Sequence, residues 1–261
     1  MATPRVLMLR APGTNCDAET AYAFQRVGAR VQPIHINGLI EDPKAGHGFQ
    51  ILCFPGGFSY GDDIAAGRIL AQRLSVHLRD LIDEFRQQDK LVLGICNGFQ
   101  IMMRLGVFFP GQEDRPPATL TLNHQARFED RWVQVATVSS PNVFLRDISS
   151  MYLPIAHAEG RFVFRDSQAQ QDLQGKHQLA LRYCGANQQV VDDLLPFPVN
   201  PNGAELNVAG ISDPSGRIFG LMPHPERHID STHHPYWTRR PEQPTDGEGL
   251  AIFANSVSFF A

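Results

Sequence analysis

The segment Leu91-Val92-Leu93-Gly94-Ile95-Cys96-Asn97-Gly98-Phe99-Gln100 constrains what this chain can fold into more than any other. The apolar run Leu91 to Ile95 reads as a buried strand, and Phe99 to Leu105 reads as a helix. Between them lies Gly94-x-Cys96-x-Gly98, the strand–turn–helix setting of a nucleophile elbow with Cys in place of Ser. The turn is sharp, and a Cβ at either glycine would crowd the adjoining strand or helix. Cys96 would stand at a helix N-terminus, where free N–H groups and the helix dipole favour a thiolate. The other reading of the same residues is a small buried cysteine between two structural glycines.

The elbow ends a series of alternating elements. Val6 to Leu9, Val31 to Ile36 and Gln50 to Phe54 read as further strands, apolar as expected of a sheet covered on both faces. A helix is expected from Ala18 to about Val27, capped by Asp17 and stopped at Gly28. A second, long helix spans Ile64 to about Gln88, with Leu70, Leu74, Leu78, Leu81, Ile82 and Phe85 on one face. The second half changes character. Gly111 to Pro117 is a Pro-rich connection, and Arg131 to Val138, Tyr152 to Ala156, Gln178 to Tyr183 and Ile218 to Met222 are strand candidates. Leu194 to Gly203 is a loop, and Gly249 to Phe260 is a last amphipathic helix. The expected fold is α/β, a doubly wound, mostly parallel sheet flanked by helices, with a β insertion in the second half and residues 1–261 forming one domain. Ligands of such sheets bind beyond the carboxyl ends of the strands, where the turn Pro55-Gly56-Gly57 and the Cys96 elbow both fall.

A chain of 261 residues with 43% hydrophobic and 19% charged residues can bury a sizeable core. The formal net charge of -4, without a Lys/Arg block, speaks against nucleic acid or an anionic membrane as a partner. Met1 to Leu9 shows no long apolar run before a cleavage signal, and no stretch approaches the roughly 20 apolar residues of a membrane span. The four cysteines, Cys16, Cys53, Cys96 and Cys184, are spread without a C-x-x-C pair. They read as reduced thiols of a cytoplasmic protein, neither a disulfide framework nor a zinc cage.

A thiol nucleophile needs a base, and the base an orienter. Met222-Pro223-His224-Pro225-Glu226 follows a candidate strand and offers both in a Pro-framed turn. A carboxylate at Glu226 accepting from one imidazole N–H would fix the tautomer of His224 and raise the basicity of its other nitrogen. Ten histidines occur, so only the strand-end position and this neighbour distinguish His224. An oxyanion hole needs backbone N–H donors. The residue after the nucleophile, Asn97, supplies one by the elbow geometry, and Gly57 offers a second, although Pro55-Gly56-Gly57 taken alone reads rather as a plain turn.

Taken together, Pro55-Gly56-Gly57, Gly94 to Gln100 and Pro223 to Glu226 resemble, in that order, the class I (triad-type) glutamine amidotransferases. Over Val6 to about Val257 the resemblance narrows to the glutaminase subunits of phosphoribosylformylglycinamidine synthase. It is carried by Pro12-Gly13-Thr14-Asn15-Cys16-Asp17, Gly56-Gly57-Phe58-Ser59-Tyr60-Gly61-Asp62, Cys96-Asn97-Gly98-Phe99-Gln100, Ile155 to Arg161 and Pro223-His224-Pro225-Glu226-Arg227. Thr14 departs from the expected Ser, and His228 to Gly247 is longer and richer in His and Pro than in short members. The resemblance implies Cys96, His224 and Glu226 as catalytic residues, Gly57 and Asn97 as oxyanion donors, and Gln100, His157 and Glu159 as substrate-side residues. It implies glutamine as substrate and ammonia passed to a large synthetase subunit, with or without a third small subunit. Because one peptide flip near Gly56-Gly57 can switch an oxyanion hole, the free subunit is expected to hydrolyse glutamine poorly until docked. No P-loop pattern occurs, so ATP and Mg are expected on the synthetase and no cofactor or metal on this chain. Asn123 to Trp132 fits either a substrate or interface segment or an ordinary strand entry.

Other readings are a stress-related binding protein of the same fold, or a glutaminase serving anthranilate or GMP synthesis. The intact His224–Glu226 pair opposes the first. Asn97 and the Gly-Phe-Ser-Tyr-Gly-Asp run oppose the second. His228, His233 and His234 sit in a Pro-rich stretch without partners at metal-ligand spacing, which suits a solvated loop.

Overall fold

The computed structural model describes residues 3–240 and 245–261. The first two residues of the Met1–Leu9 stretch, and positions 241–244 of the His228–Gly247 stretch, lie outside the described residues. In chain order the elements are β1 (Arg5–Arg10), α1 (Asp17–Arg26), β2 (Arg30–His35), α2 (Ile36–Glu41), β3 (Ile51–Phe54), α3 (Arg68–His77), α4 (Arg79–Gln87), β4 (Leu91–Ile95), α5 (Asn97–Leu105), β5 (Ala118–Thr121), β6 (Glu129–Thr137), β7 (Ser150–His157), β8 (Arg161–Phe164), α6 (Ser167–Gly175), β9 (Leu181–Tyr183), β10 (Val208–Ser212), β11 (Ile218–Leu221) and α7 (Leu250–Ser258). One nine-stranded sheet runs β2-β1-β3-β4-β11-β10-β9-β6-β7, and β5 and β8 form a separate pair. The strands from β2 to β11 are parallel and those from β11 to β7 antiparallel. The parallel half with flanking helices and the antiparallel later half are the architecture the alternating pattern implies.

Strands β3, β4 and β11 are buried along their whole length, which is why they read as continuous apolar runs rather than alternating ones. Their register matters most for function. Phe54 pairs with Gly94 and Leu221 with Ile95, so the three strands end level. The segments that follow, Pro55–Gly57, Cys96 and Met222–His224, therefore leave the sheet side by side at its carboxyl edge. The Cys96 N–H donates to the Leu221 carbonyl at 2.8 Å, which fixes the elbow to the neighbouring strand. At the other side of the sheet, β7 folds back over this edge. The His224 N–H donates to Pro154 O and the His228 ring to Tyr152 O.

Several expectations need correction. The helix expected over Ile64–Gln88 is two helices with a break at Leu78, whose φ/ψ of -131/23 is not helical. The apolar stripe is continuous, but its halves face different partners. Helix α3 packs on α5 and α4 packs on β4, so one straight axis cannot serve both. Ile64 lies outside and is exposed. Asp17 is not a cap. Cys16 holds the N-cap position, and the Asp17 carboxylate pairs instead with Arg10 Nε at 2.6 Å. Gly28 does follow α1, at φ 93. The strand expected over Gln178–Tyr183 is regular only over Leu181–Tyr183, and its pairing with β10 carries a bulge between Val208 and Gly210. Strand β10 gave little signal, since Gly210 weakens its strand pattern. Tertiary contact requires that glycine, whose Cβ would lie 2.7 Å from Gly220 O.

Candidate active site

Cys96 sits between β4 and α5 with φ 51 and ψ -106, a conformation L-residues avoid. Such strain persists only where the surroundings enforce it, and it aims a side chain that a relaxed turn would not. The enforcement is steric. A Cβ on Gly98 would lie 1.9 Å from Phe54 O, and one on Gly94 would lie 2.3 Å from Met102 Sδ. The chain at the elbow therefore runs tightly between β3 and α5. The Cys96 thiol is buried and lies 3.7 Å from Ala156 O, at the end of β7.

His224 and Glu226 flank Pro225 in the turn after β11. His224 Nδ1 and Glu226 Oε1 are 2.6 Å apart, and both residues are 1% exposed. Nδ1 carries the proton in that contact, since a carboxylate accepts only. Nε2 is thereby left as the basic nitrogen, and it has no hydrogen-bond partner of good geometry. Burial works against a charged imidazole here. The Glu226 carboxylate, with the Cys96 and Cys16 thiols, overrides it and raises His224 well above the ordinary histidine range. A histidine held in this way readily takes a thiol proton.

The turn after β3 faces this pair. Gly57 has φ 141, and a Cβ there would lie 2.8 Å from both Asn15 N and Gly13 O, so only glycine fits. The Gly56 carbonyl accepts from the Cys16 N–H at 3.3 Å. The C=O and N–H of one trans peptide point in opposite directions. The Gly57 N–H is therefore aimed away from the Pro12–Cys16 segment. Gly57, Phe58, Asp62, Ala66, Cys96, Gln100, Ala156, His157, Ala158 and Glu159 line a cavity of about 170 Å³. It has room for one molecule of amino-acid size.

The structure thus brings all eight sequence-designated residues together, in different ways. Cys96, Gly57, Gln100, His157 and Glu159 line the cavity, and His224 and Glu226 stand behind the thiol. The Asn97 side chain is structural. It accepts from Ser59 N–H and donates to Asp62 and Gln100, which leaves its backbone N–H as the group available to an oxyanion. Gln100 accepts from Asn97 Nδ2 and donates to Glu159 O. Glu159 accepts from Ala66 N–H and lies 3.8 Å from Arg104. The His157 Nδ1–H donates to Asn123 Oδ1 at 3.1 Å, while its Nε2 is buried without a partner.

Residues without an assigned role in the sequence reading also belong to the site. Asn123 bonds His157, Gly160 and Arg127 and anchors the substrate-side segment. Burial raises the Asp62 carboxyl, although Gly67 N–H and Asn97 oppose it. Arg227 donates to Cys16 Sγ at 3.1 Å. Asp62, Cys16 and Arg227 all stand inside motifs the sequence displays, so proximity to a motif was their only signal. Of Asn123 to Trp132, Phe128 stacks on Phe58 at the cavity rim, and Glu129 binds both Arg127 and Arg131. His228 and His234 pack with Trp132 and Tyr152 in an aromatic cluster. The donor atoms of Cys16, His224 and Glu226 lie within 4.8 Å of one another. Arg227 already donates to Cys16, and His224 is bonded to Glu226, so this cluster is built as a proton and hydrogen-bond network.

Burial, and His224 nearby, push the His157 imidazole down to about 3 from 6.5. The unfolded chain takes up this proton below about pH 6.5 and the folded chain does not. Stability from this group is therefore complete above pH 6.5 and declines as the pH falls toward 3. His157→Gln, which keeps a donor for Asn123, should remove roughly 3 kcal/mol of the acid destabilisation seen by pH 4. Urea unfolding of both proteins between pH 7 and 4 measures it, and parallel curves would contradict the assignment.

Fold and family comparison together define a glutamine amidotransferase. A family model for the CobB/CobQ-like glutamine amidotransferase domain matches residues 3–260. Two relatives carry the name phosphoribosylformylglycinamidine synthase subunit PurQ. One, from Dehalococcoides mccartyi, is 40% identical over 260 residues, covering 99% of this chain and 98% of that protein. The other, from Methanococcus maripaludis, is 40% identical over 268 residues, covering 98% and 97%. The chain belongs to this family of phosphoribosylformylglycinamidine synthase subunits. A solved Thermotoga maritima structure, described as PurLQS, shares the fold with a TM-score of 0.71 at 24% identity, covering all of both chains. The family membership sets aside the stress-protein, anthranilate and GMP readings.

Proposed function

We propose that Cys96 is the nucleophile with which this chain, the glutaminase subunit of a phosphoribosylformylglycinamidine synthase of purine biosynthesis, releases ammonia from glutamine. The observation that carries the reading is the strained Cys96 elbow set level with the buried His224–Glu226 pair. His224 Nε2 takes the thiol proton, and Sγ attacks the side-chain amide carbon of glutamine. The amide oxygen becomes an oxyanion held by the N–H groups of Gly57 and Asn97. On collapse His224 delivers its proton to the leaving nitrogen, and ammonia departs from a γ-glutamyl thioester on Cys96. Water, deprotonated by His224, cleaves the thioester to glutamate and restores the thiol. Glu226 keeps Nδ1 protonated and balances the charge on the ring.

Gln100, Glu159 and His157 form the substrate wall. Gln100 is held by Asn97 and the Glu159 carbonyl, so it shapes the cavity at that side. The carboxylate of Glu159 suits the α-ammonium of glutamine, and the bare Nε2 of His157 suits a donor. The partner is the synthetase subunit, together with a third small subunit where the complex has one, and ATP and Mg act there. Among the described residues no helix is long and apolar enough to cross a membrane, which fits a cytoplasmic complex.

Mixing the chain with its synthetase, ATP and formylglycinamide ribonucleotide tests the reading. Glutamine should then support amidine formation, and the chain alone should hydrolyse glutamine at least about tenfold more slowly than in the complex. Docking would supply the difference by settling the Gly56–Gly57 peptide. Amidine formation with ammonia but never with glutamine would overturn the pathway assignment. Equal glutaminase rates with and without the synthetase would overturn the docking requirement.

A further inference from the structure

Cys16 is a second buried cysteine at the site; it helps to raise His224, but no step of the chemistry above uses it. It is 1% exposed and stands at the N-cap of α1. Its backbone N–H donates to Gly56 O, the carbonyl of the very peptide whose other end is the Gly57 N–H. Its Sγ accepts from Arg227 at 3.1 Å. Arg227 Nε lies 4.0 Å from Glu226 Oε1, the oxygen bonded to His224. A Cβ on Gly56 would lie 3.1 Å from Cys16 Sγ and 2.9 Å from His224 Cε1, so Gly56 is seated tightly against both.

One continuous path therefore runs from the base to the oxyanion peptide: His224, Glu226, Arg227, Cys16, Gly56–Gly57. The segment around Cys16 strengthens the hold. Phe58 N–H donates to Gly13 O and Tyr60 N–H to Pro12 O. A Cβ on Gly13 would lie 2.0 Å from Phe58 O. The Pro12–Cys16 segment thus lies along the oxyanion turn as a short clamp, and Cys16 also reaches the base turn through Arg227.

We propose that Cys16 is a positioning residue that couples the His224–Glu226–Arg227 turn to the Gly56–Gly57 oxyanion peptide, so that base and oxyanion donor reach their working geometry together. Turning the Gly57 N–H away from the cavity breaks the Cys16–Gly56 bond and moves Gly56 against Sγ. Sγ in turn fixes Arg227, and Arg227 shares Glu226 with His224. The inference rests on Cys96 being the nucleophile and His224 its base. It adds that Cys16 transmits order between their supports without forming or breaking a bond in the reaction.

The test uses the assembled complex with its synthetase. Cys16→Ala should lower kcat for glutamine by about 10-fold or more, with KM within about twofold, as loss of catalytic alignment does. Cys16→Ser, whose hydroxyl still accepts from Arg227, should recover most of the rate. Arg227→Ala should cost a similar factor, and the double variant should cost little more than either single one, because both break one path. The ammonia-dependent rate should stay at the wild-type level, and the acidic limb of the kcat–pH profile should move in both single variants. A wild-type kcat in Cys16→Ala, additive losses in the double variant, or equal loss of the ammonia-dependent rate would each overturn the coupling. The nucleophile assignment is judged separately, through Cys96→Ala, so the failure of one reading is distinguishable from the failure of the other.

Discussion

Cys96→Ala in the complex should lose at least about a thousandfold of glutamine-dependent amidine synthesis while keeping the ammonia-dependent rate. Among the described residues, Cys96 is the cysteine that lines the cavity. Cys16 accepts from Arg227 and does not line the cavity. Cys53 is wholly buried inside β3, where burial holds its thiol far above the usual range. The fold should persist, because removing one sulfur at φ 51 leaves the alanine backbone just as strained and opens little space. Assays with glutamine and with ammonium salts, on the same preparation, separate the outcomes. Retention of glutamine use would require a different nucleophile. Loss of both activities would mean that the thiol supports the assembly rather than the chemistry.

Gly98→Ala is expected to be strongly destabilising for a single added methyl group. Its Cβ would lie 1.9 Å from Phe54 O and 2.6 Å from Phe54 C. These are backbone atoms of a central strand, so no side chain can swing aside. Either α5 lifts from β3 or the elbow unwinds, at a cost above about 3 kcal/mol. Glutamine use should fall with it, since the Asn97 N–H and the Cys96 conformation both belong to that turn. Gly175→Ala is the control. This glycine ends α6, a Cβ there meets nothing within 4 Å, and the change should be neutral or stabilising by up to about 1 kcal/mol. Denaturant unfolding of the two variants measures the contrast. Equal stabilities would show that the strand–helix contact is looser than the geometry states.

The same crowding explains why the elbow was legible in sequence. A buried strand leaves a run of apolar residues, and a turn that cannot accept a Cβ leaves glycines, so both constraints are written as residue types. The parallel half was legible for that reason. The site's partners were legible through their turns, as Gly56-Gly57 and Pro223 to Glu226 sit where strands end. The break at Leu78 left no such mark, because its apolar spacing is that of one helix and only the packing of α3 on α5 and α4 on β4 separates the halves. Strand β10 was hidden by Gly210. The pair β5–β8 was hidden because neither strand is a fully buried apolar run like the equally short β3 and β11.

What the sequence determined by itself is the chemistry available: a thiol on a strained turn, a histidine with its carboxylate two residues on, and glycines that free backbone N–H groups. Each is a local property, set by residue type and short spacing. Tertiary structure decided that these groups meet. The level ends of β3, β4 and β11 bring three turns together, and the fold-back of β7 closes the cavity with His157 and Glu159. It also decided that Cys16, Arg227, Asn123 and Asp62 belong to the site. Their partners lie far away along the chain, and hydrogen bonds between such distant residues leave no periodicity for a sequence to display.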